Sequence, residues 1–160
     1  MVMDWPIFPD DRLSRAGINR RMRFDHRLED VVARLSNAGS IFDKDHRLVA
    51  CNQLFRDYLQ VPRTLAQPGT GLADLLNYHA RHGTFLAQDE QTGRAIAAWQ
   101  KTHLDHLARS KPYDQIQRLA DGRILLATYA PIPEGGWIAI HRDYTQRAVR
   151  ETTVRARASI

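Results

Sequence analysis

The stretch LADGRILLATYAPIPEGGWIAIHRDYTQR, Leu119 to Arg147, constrains the fold more than any other part of the chain. Two runs rich in β-branched and aromatic residues, RILLATYAPI and WIAIHRD, are separated by the turn PEGG. Runs of this kind joined by a few glycine-bearing residues form an antiparallel hairpin. Asp121-Gly122 is itself a strong hairpin turn signal, and the weakly alternating YDQIQRL ahead of it predicts a further strand. After Asp143 the chain turns polar, with Thr145 as a candidate cap for a final helix.

Upstream, the hydrophobic period changes. Phe24, Leu28, Val31, Val32 and Leu35 recur at spacings of three and four, one face of an amphipathic helix, with Asp25 as a plausible cap. Asn37-Ala38-Gly39 breaks it. The β-like runs SIFD and RLVACN then flank Asp43-Lys44-Asp45-His46, a polar turn of hairpin length. Asn52 is placed to cap the helix QLFRDYLQ, and LADLLNYHARHG predicts a second short helix stopped by Gly83. The longest helical candidate runs from about Asp89 to Arg109, with Ile96, Trp99, Leu104 and Leu107 as apolar positions, and Ser110-Lys111-Pro112 ends it. Helices and strands in separate blocks argue an α+β fold: five antiparallel strands with helices on one face, an amphipathic N-terminal helix and a short C-terminal exit helix. We place a leader and helix at residues 1–36, the main domain at 37–145, and a C-terminal helix or linker at 146–160.

With 160 residues, the chain suits one domain with short extensions. The lone Cys51 cannot form an internal disulfide, which points to a reducing compartment. No apolar run approaches the roughly 20 residues needed to cross a bilayer, and MVMDWPIFPDD is no signal peptide. A cytoplasmic protein without membrane association is expected. The net charge of +5 collects in RAGINRRMRFDHR and in RAVRETTVRARASI. Basic ends of this kind can hold nucleic acid, although short ones are more often solvated.

The histidine pairs His79/His82 and His103/His106 stand at i,i+3 spacing, so each could offer two metal ligands. No zinc signature accompanies them, and they are expected at the surface. No metal site is expected. No Ser-His-Asp, Cys-His or paired-carboxylate arrangement stands out, and PGTG lacks the Lys-Ser/Thr of a phosphate loop. Catalysis is not expected.

From about Asn37 to Arg147 the chain resembles a PAS domain, of the subgroup common in bacterial signalling proteins with a long helix before the last three strands. The stretches IFDKDHRLVACNQLF, PGTGLADLLNYHARHG and Leu119–Arg147 carry the resemblance. The Asp-Gly-Arg turn, the Gly-Gly turn and the terminal Asp-x-Thr fall in register. Two departures stand out: Asp45-His46-Arg47 replaces the usual Asp-Gly-Arg, and Tyr144 replaces the usual Ile.

The resemblance implies a non-catalytic sensory or dimerisation module, commonly a homodimer, that serves a kinase, cyclase or other output module in cis or in trans. It also implies that Asp143 and Thr145 pass a signal from the last strand to the exit helix. Thr145 would cap that helix and Asp143 would pair with an arginine such as Arg147. Phe24, Leu28, Val31, Val32 and Leu35 would pack on the sheet or on a second copy. A small ligand could fill the space under the curved sheet, lined by Leu76, Ile116, Leu126, Tyr129 and Ile140. Alternation along the strands and the apolar face of the helix point to this set, and a slip of one residue would exchange all of it. Haem through His79 or His82 and a small metabolite are the cofactors considered. Flavin photochemistry is disfavoured, because Cys51 sits at a strand end in ACNQLF. The alternative is a nucleic-acid-binding regulator that uses the basic ends, with this core as its switch. The chain is read either as a piece of a longer signalling protein or as a stand-alone domain.

Overall fold

The computed structural model describes residues 28–85 and 91–159. Phe24, Asp25 and the first basic stretch lie outside them. The described chain runs through a helical segment at 28–33 (α1), β1 (Ala38–Phe42), β2 (Leu48–Cys51), α2 (Gln53–Leu59), α3 (Leu72–His82), α4 (Gln91–Ala108), β3 (Tyr113–Arg118), β4 (Ile124–Pro131), β5 (Trp137–Asp143) and α5 (Thr145–Ala158). The strands form one antiparallel sheet in the order β2-β1-β5-β4-β3, which joins the early hairpin to the late three strands as expected.

Turn chemistry sets the local geometry. Asp43 Oδ1 accepts from the backbone N–H groups of Asp45 (2.8 Å) and Arg47 (2.9 Å), which closes the first hairpin. His46 sits there at φ 56°, in the left-handed region that favours glycine. Its ring gives a return for that conformation: Nδ1 accepts from the indole N–H of Trp137 at 3.2 Å. Gly122 (φ 91°) turns β3 into β4. At Gly136, also φ 91°, a Cβ would stand 2.2 Å from the Phe42 carbonyl oxygen, so only glycine fits.

Asn52 fastens three elements at once. Its Oδ1 accepts from Phe55 N (2.9 Å), capping α2, and from Gly39 N (3.0 Å) in β1. Its Nδ2 donates to the carbonyls of Val32 (3.1 Å) and Asn37 (2.8 Å), where α1 meets the sheet.

The sheet is covered on both sides. Phe55 and Leu59 of α2, Leu75 of α3, and Trp99 and Leu107 of α4 pack with Leu48, Leu125, Ala127, Tyr129 and Trp137 on one face. Leu28 and Val32 of α1 pack on the other with Ile41, joined by Val49, Ile132 and Ile138. Among the residues expected to pack, Leu28 and Val32 are therefore buried on this chain's own sheet, Leu35 is half-buried over Gly39, and Val31 is exposed. Leu104 of α4, read as an apolar-face position, is exposed, and His103 takes the inward place beside it.

Among the described residues no helix is long and apolar enough to cross a membrane.

Candidate functional site

Between the sheet and helices α2–α4 lies a cavity of about 360 Å³. The sheet supplies Ser40, Tyr129, Trp137, Ala139 and His141, the edge strand β3 supplies Gln115 and Gln117, and the helical side closes it with Phe55, Leu76, His79 and Trp99. Its size lies at the low end of small-molecule sites, which run from roughly 300 to 1,000 Å³.

The expected lining is corrected in register. Leu76 and Tyr129 line the cavity. Ile116 lines it too but remains 47% exposed, while β3 turns Tyr113, Gln115 and Gln117 inward. Leu126 and Ile140 point to the opposite face and do not reach it; Leu125, Ala127, Ala139 and His141 hold the inward positions of their strands. Ser40, Gln115, Gln117 and His141 were missed for the same reason. The turned-away face is itself apolar, since α1 covers it, so alternation alone could not tell inside from outside.

The histidines also depart from expectation. His79 and His103 are buried, and so is His141, while His82 is exposed and stacked on Tyr78. His79 Nδ1 lies 3.1 Å from the Thr84 hydroxyl. His103 Nδ1 lies 2.7 Å from the Tyr113 hydroxyl, and its ring stacks on Trp99 and meets Tyr129 and Trp137 edge-on. Aromatic neighbours with one polar partner make these inward positions favourable for an imidazole. Burial lowers the pKa of each to about 4, assisted by His82 at His79, by His46 and His106 at His103, and by His79 at His141. All three are therefore neutral at physiological pH. Burial raises the pKa of the Tyr113 and Tyr129 hydroxyls, so both stay protonated.

Among the described residues no three His, Cys, Asp or Glu side chains are placed to share a metal ion. Of the two histidines considered for haem, His79 lines the cavity and His82 does not. Cys51, half-buried with its thiol pKa raised by burial, is not among the lining residues.

The exit from the sheet is built differently from the expectation. Asp143 Oδ1 accepts from Thr145 N at 2.9 Å, and these bonds to Thr145 hold the carboxyl below its usual pKa. Arg147 pairs instead with Glu151 at 3.0 Å, one turn along α5, where i,i+4 geometry brings them together. Thr145 Oγ1 does not cap the helix; it accepts from Ile124 N at 2.9 Å, at the start of β4. The backbone adds a bond from Tyr144 N to Ile124 O at 2.8 Å. The first turn of α5 is thus fastened to the strand that carries Tyr129.

A family model described as the PAS fold matches residues 32–152. The chain belongs to the PAS family. The PAS domain of BvgS from Bordetella pertussis is 17% identical, with a TM-score of 0.57 over 89% of this chain and 100% of that one. The phage VqmA–DPO complex is 16% identical, TM-score 0.54, over 86% of this chain and 60% of that one. An RNA-binding Light-Oxygen-Voltage receptor is 17% identical, TM-score 0.55, over 91% of this chain and 40% of that one. This PAS domain therefore spans less than two thirds of the VqmA and receptor chains. No curated protein matches it in sequence.

Proposed function

We propose that this PAS domain is a non-catalytic sensory module of a cytoplasmic signalling protein, in which a small molecule held under the sheet alters how β4 and β5 deliver the chain to α5. One observation carries the reading: the bond from Ile124 N to Thr145 Oγ1 ties the first residue of the exit helix to the first residue of the strand that lines the cavity through Tyr129. Asp143 adds a bond from Thr145 N on the same turn. A shift of β4 is thereby transmitted to the helix start, a local change with a distant readout. Beyond that turn α5 buries no residue and exposes Val149 and Val154, a surface suited to a second copy of the chain or to a kinase, cyclase or other output module.

Amide hydrogen exchange tests the coupling. Ala139→Leu, which fills the cavity floor, should change exchange in the first two turns of α5. In a Thr145→Val background that response should vanish, while the sheet keeps its protection. Exchange in α5 that ignores Ala139→Leu would refute the reading.

The second reading is nucleic-acid binding. α5 carries Arg147, Arg150, Arg155 and Arg157 against the single acid Glu151, and one fold neighbour is an RNA-binding receptor. A gel shift with random-sequence RNA that weakens steeply with salt would favour it, and no shift would end it.

A further inference from the structure

The cavity holds more hydrogen-bonding capacity than its walls use. Ser40 is 0% exposed and its hydroxyl has no partner; His141 is 3% exposed and its Nδ1 has none. The amide oxygens of Gln115 and Gln117 are buried and unpartnered too, and all four residues line the cavity. Gln117 Nε2 donates to the Tyr129 hydroxyl at 2.7 Å, which leaves its Oε1 as the free atom. A buried polar group without a partner is costly, and folded chains seldom collect several in one place. The indole N–H of Trp99, also buried, unpartnered and on a lining residue, is a fifth, and five around one space mark a surface that a ligand completes.

Strand pairing fixes how they are arranged. His141 pairs with Ala127, which pairs in turn with Gln115, so the two polar residues stand two strand spacings apart, roughly 10 Å. Only the methyl group of Ala127 lies between them on that face. Ser40 pairs with Ala139, whose side chain is equally short. The polar groups thus border a low floor, and Phe55, Trp99, Tyr129 and Trp137 give the space flat apolar walls. No lining side chain is charged except the exposed Arg118, and His79 and His141 are held neutral by burial. An ionised ligand would be buried there without compensation.

Resting on the sensory reading above, we infer that the cavity takes an uncharged, planar nitrogen heterocycle whose N–H donors meet the amide oxygens of Gln115 and Gln117 and whose acceptors face Ser40, His141 and the indole N–H of Trp99. Two carbonyl acceptors select for donors, the aromatic walls for a flat ring, and the volume of about 360 Å³ for one or two fused rings.

The test uses the full chain, calorimetric titration and thermal unfolding, with 2-pyridone, benzoate and toluene as neutral, anionic and apolar probes. Compounds released from the purified protein by solvent are identified by mass spectrometry. 2-Pyridone should bind and raise the unfolding temperature, and the other two should not. Ser40→Ala should unfold at or above the wild-type temperature, since it removes an unpaired buried hydroxyl, yet bind 2-pyridone at least tenfold more weakly. Gln115→Leu should weaken binding similarly, which keeps the test decisive if one variant fails to fold. A released neutral nitrogen heterocycle supports the inference even where 2-pyridone fails. Benzoate or toluene binding as tightly, variants that bind normally, or a released anionic or aliphatic compound would overturn the ligand class and leave the sensory reading standing. No binding of any probe together with no released compound would overturn both.

Discussion

Replacing Asn52 by alanine should cost this domain a large share of its stability. The residue is 8% exposed and its amide serves four backbone groups on three elements. Loss of the α2 cap alone costs about 1 kcal/mol. The N–H of Gly39, buried in β1, then loses its side-chain partner, whereas the carbonyl of Val32 keeps the Leu35 N–H at 3.2 Å. That one orphaned buried group adds about 1–3 kcal/mol. The carbonyl of Asn37 is half-buried and can turn to water, so it is left out of the sum. The expected loss is about 2–4 kcal/mol, against a total of roughly 5–15 for a domain of this kind. Urea unfolding followed by circular dichroism measures it, and Asn52→Asp separates its two halves. Aspartate keeps the acceptor for Phe55 and Gly39 but loses both donated bonds, and sets a carboxylate against two carbonyls. A loss below about 1 kcal/mol for Asn52→Ala, with an unchanged urea slope, would show that Asn52 does not fasten α1 to the sheet.

Three further outcomes are expected. Gly136→Ala should lose more than about 2 kcal/mol, from a left-handed backbone plus a Cβ driven into the Phe42 carbonyl, and thermal unfolding at or near the wild-type midpoint would contradict that geometry. Leu125→Ala should cost about 2–5 kcal/mol because Leu125 is 0% exposed in the core, whereas Leu126→Ala on the other face should cost clearly less; the reverse order in urea titrations would mean the register is wrong. Because His79, His103 and His141 titrate near 4 when folded and near 6.5 when unfolded, their contribution is complete above pH 6.5 and drains as pH falls toward 4, by at most about 3 kcal/mol each. Urea midpoints that stay flat from pH 7 to 4.5 would refute their burial in neutral form, and His141→Phe should flatten the slope by removing one of the three.

Much of the architecture was legible from local signals. Asp121-Gly122, the Gly-Gly turn before Trp137, the Asn52 cap and the Gly83 stop are decided within a few residues, because backbone dihedrals and caps depend on near neighbours. Element type followed from them. The inside of the sheet did not. Ile140 and Leu126 attract an apolar reading, while His141 and Gln115 look like surface residues, until α1 is seen lying over Ile41 and Ile138. The same holds for His103, whose inward position becomes favourable only when Trp99, Tyr113 and Tyr129 arrive from α4, β3 and β4.

By itself, then, the sequence determined where the chain turns, caps and stops, and through those the antiparallel five-stranded sheet and its exit helix, since each depends on the conformational preferences of a few adjacent residues. Only the tertiary structure decided which side of each strand meets the helices, that Thr145 binds β4 while Asp143 accepts from the Thr145 N–H, and that five uncharged polar groups converge on one cavity. Those facts depend on residues far apart in the chain meeting across the sheet, and alternation loses its meaning once both faces are covered.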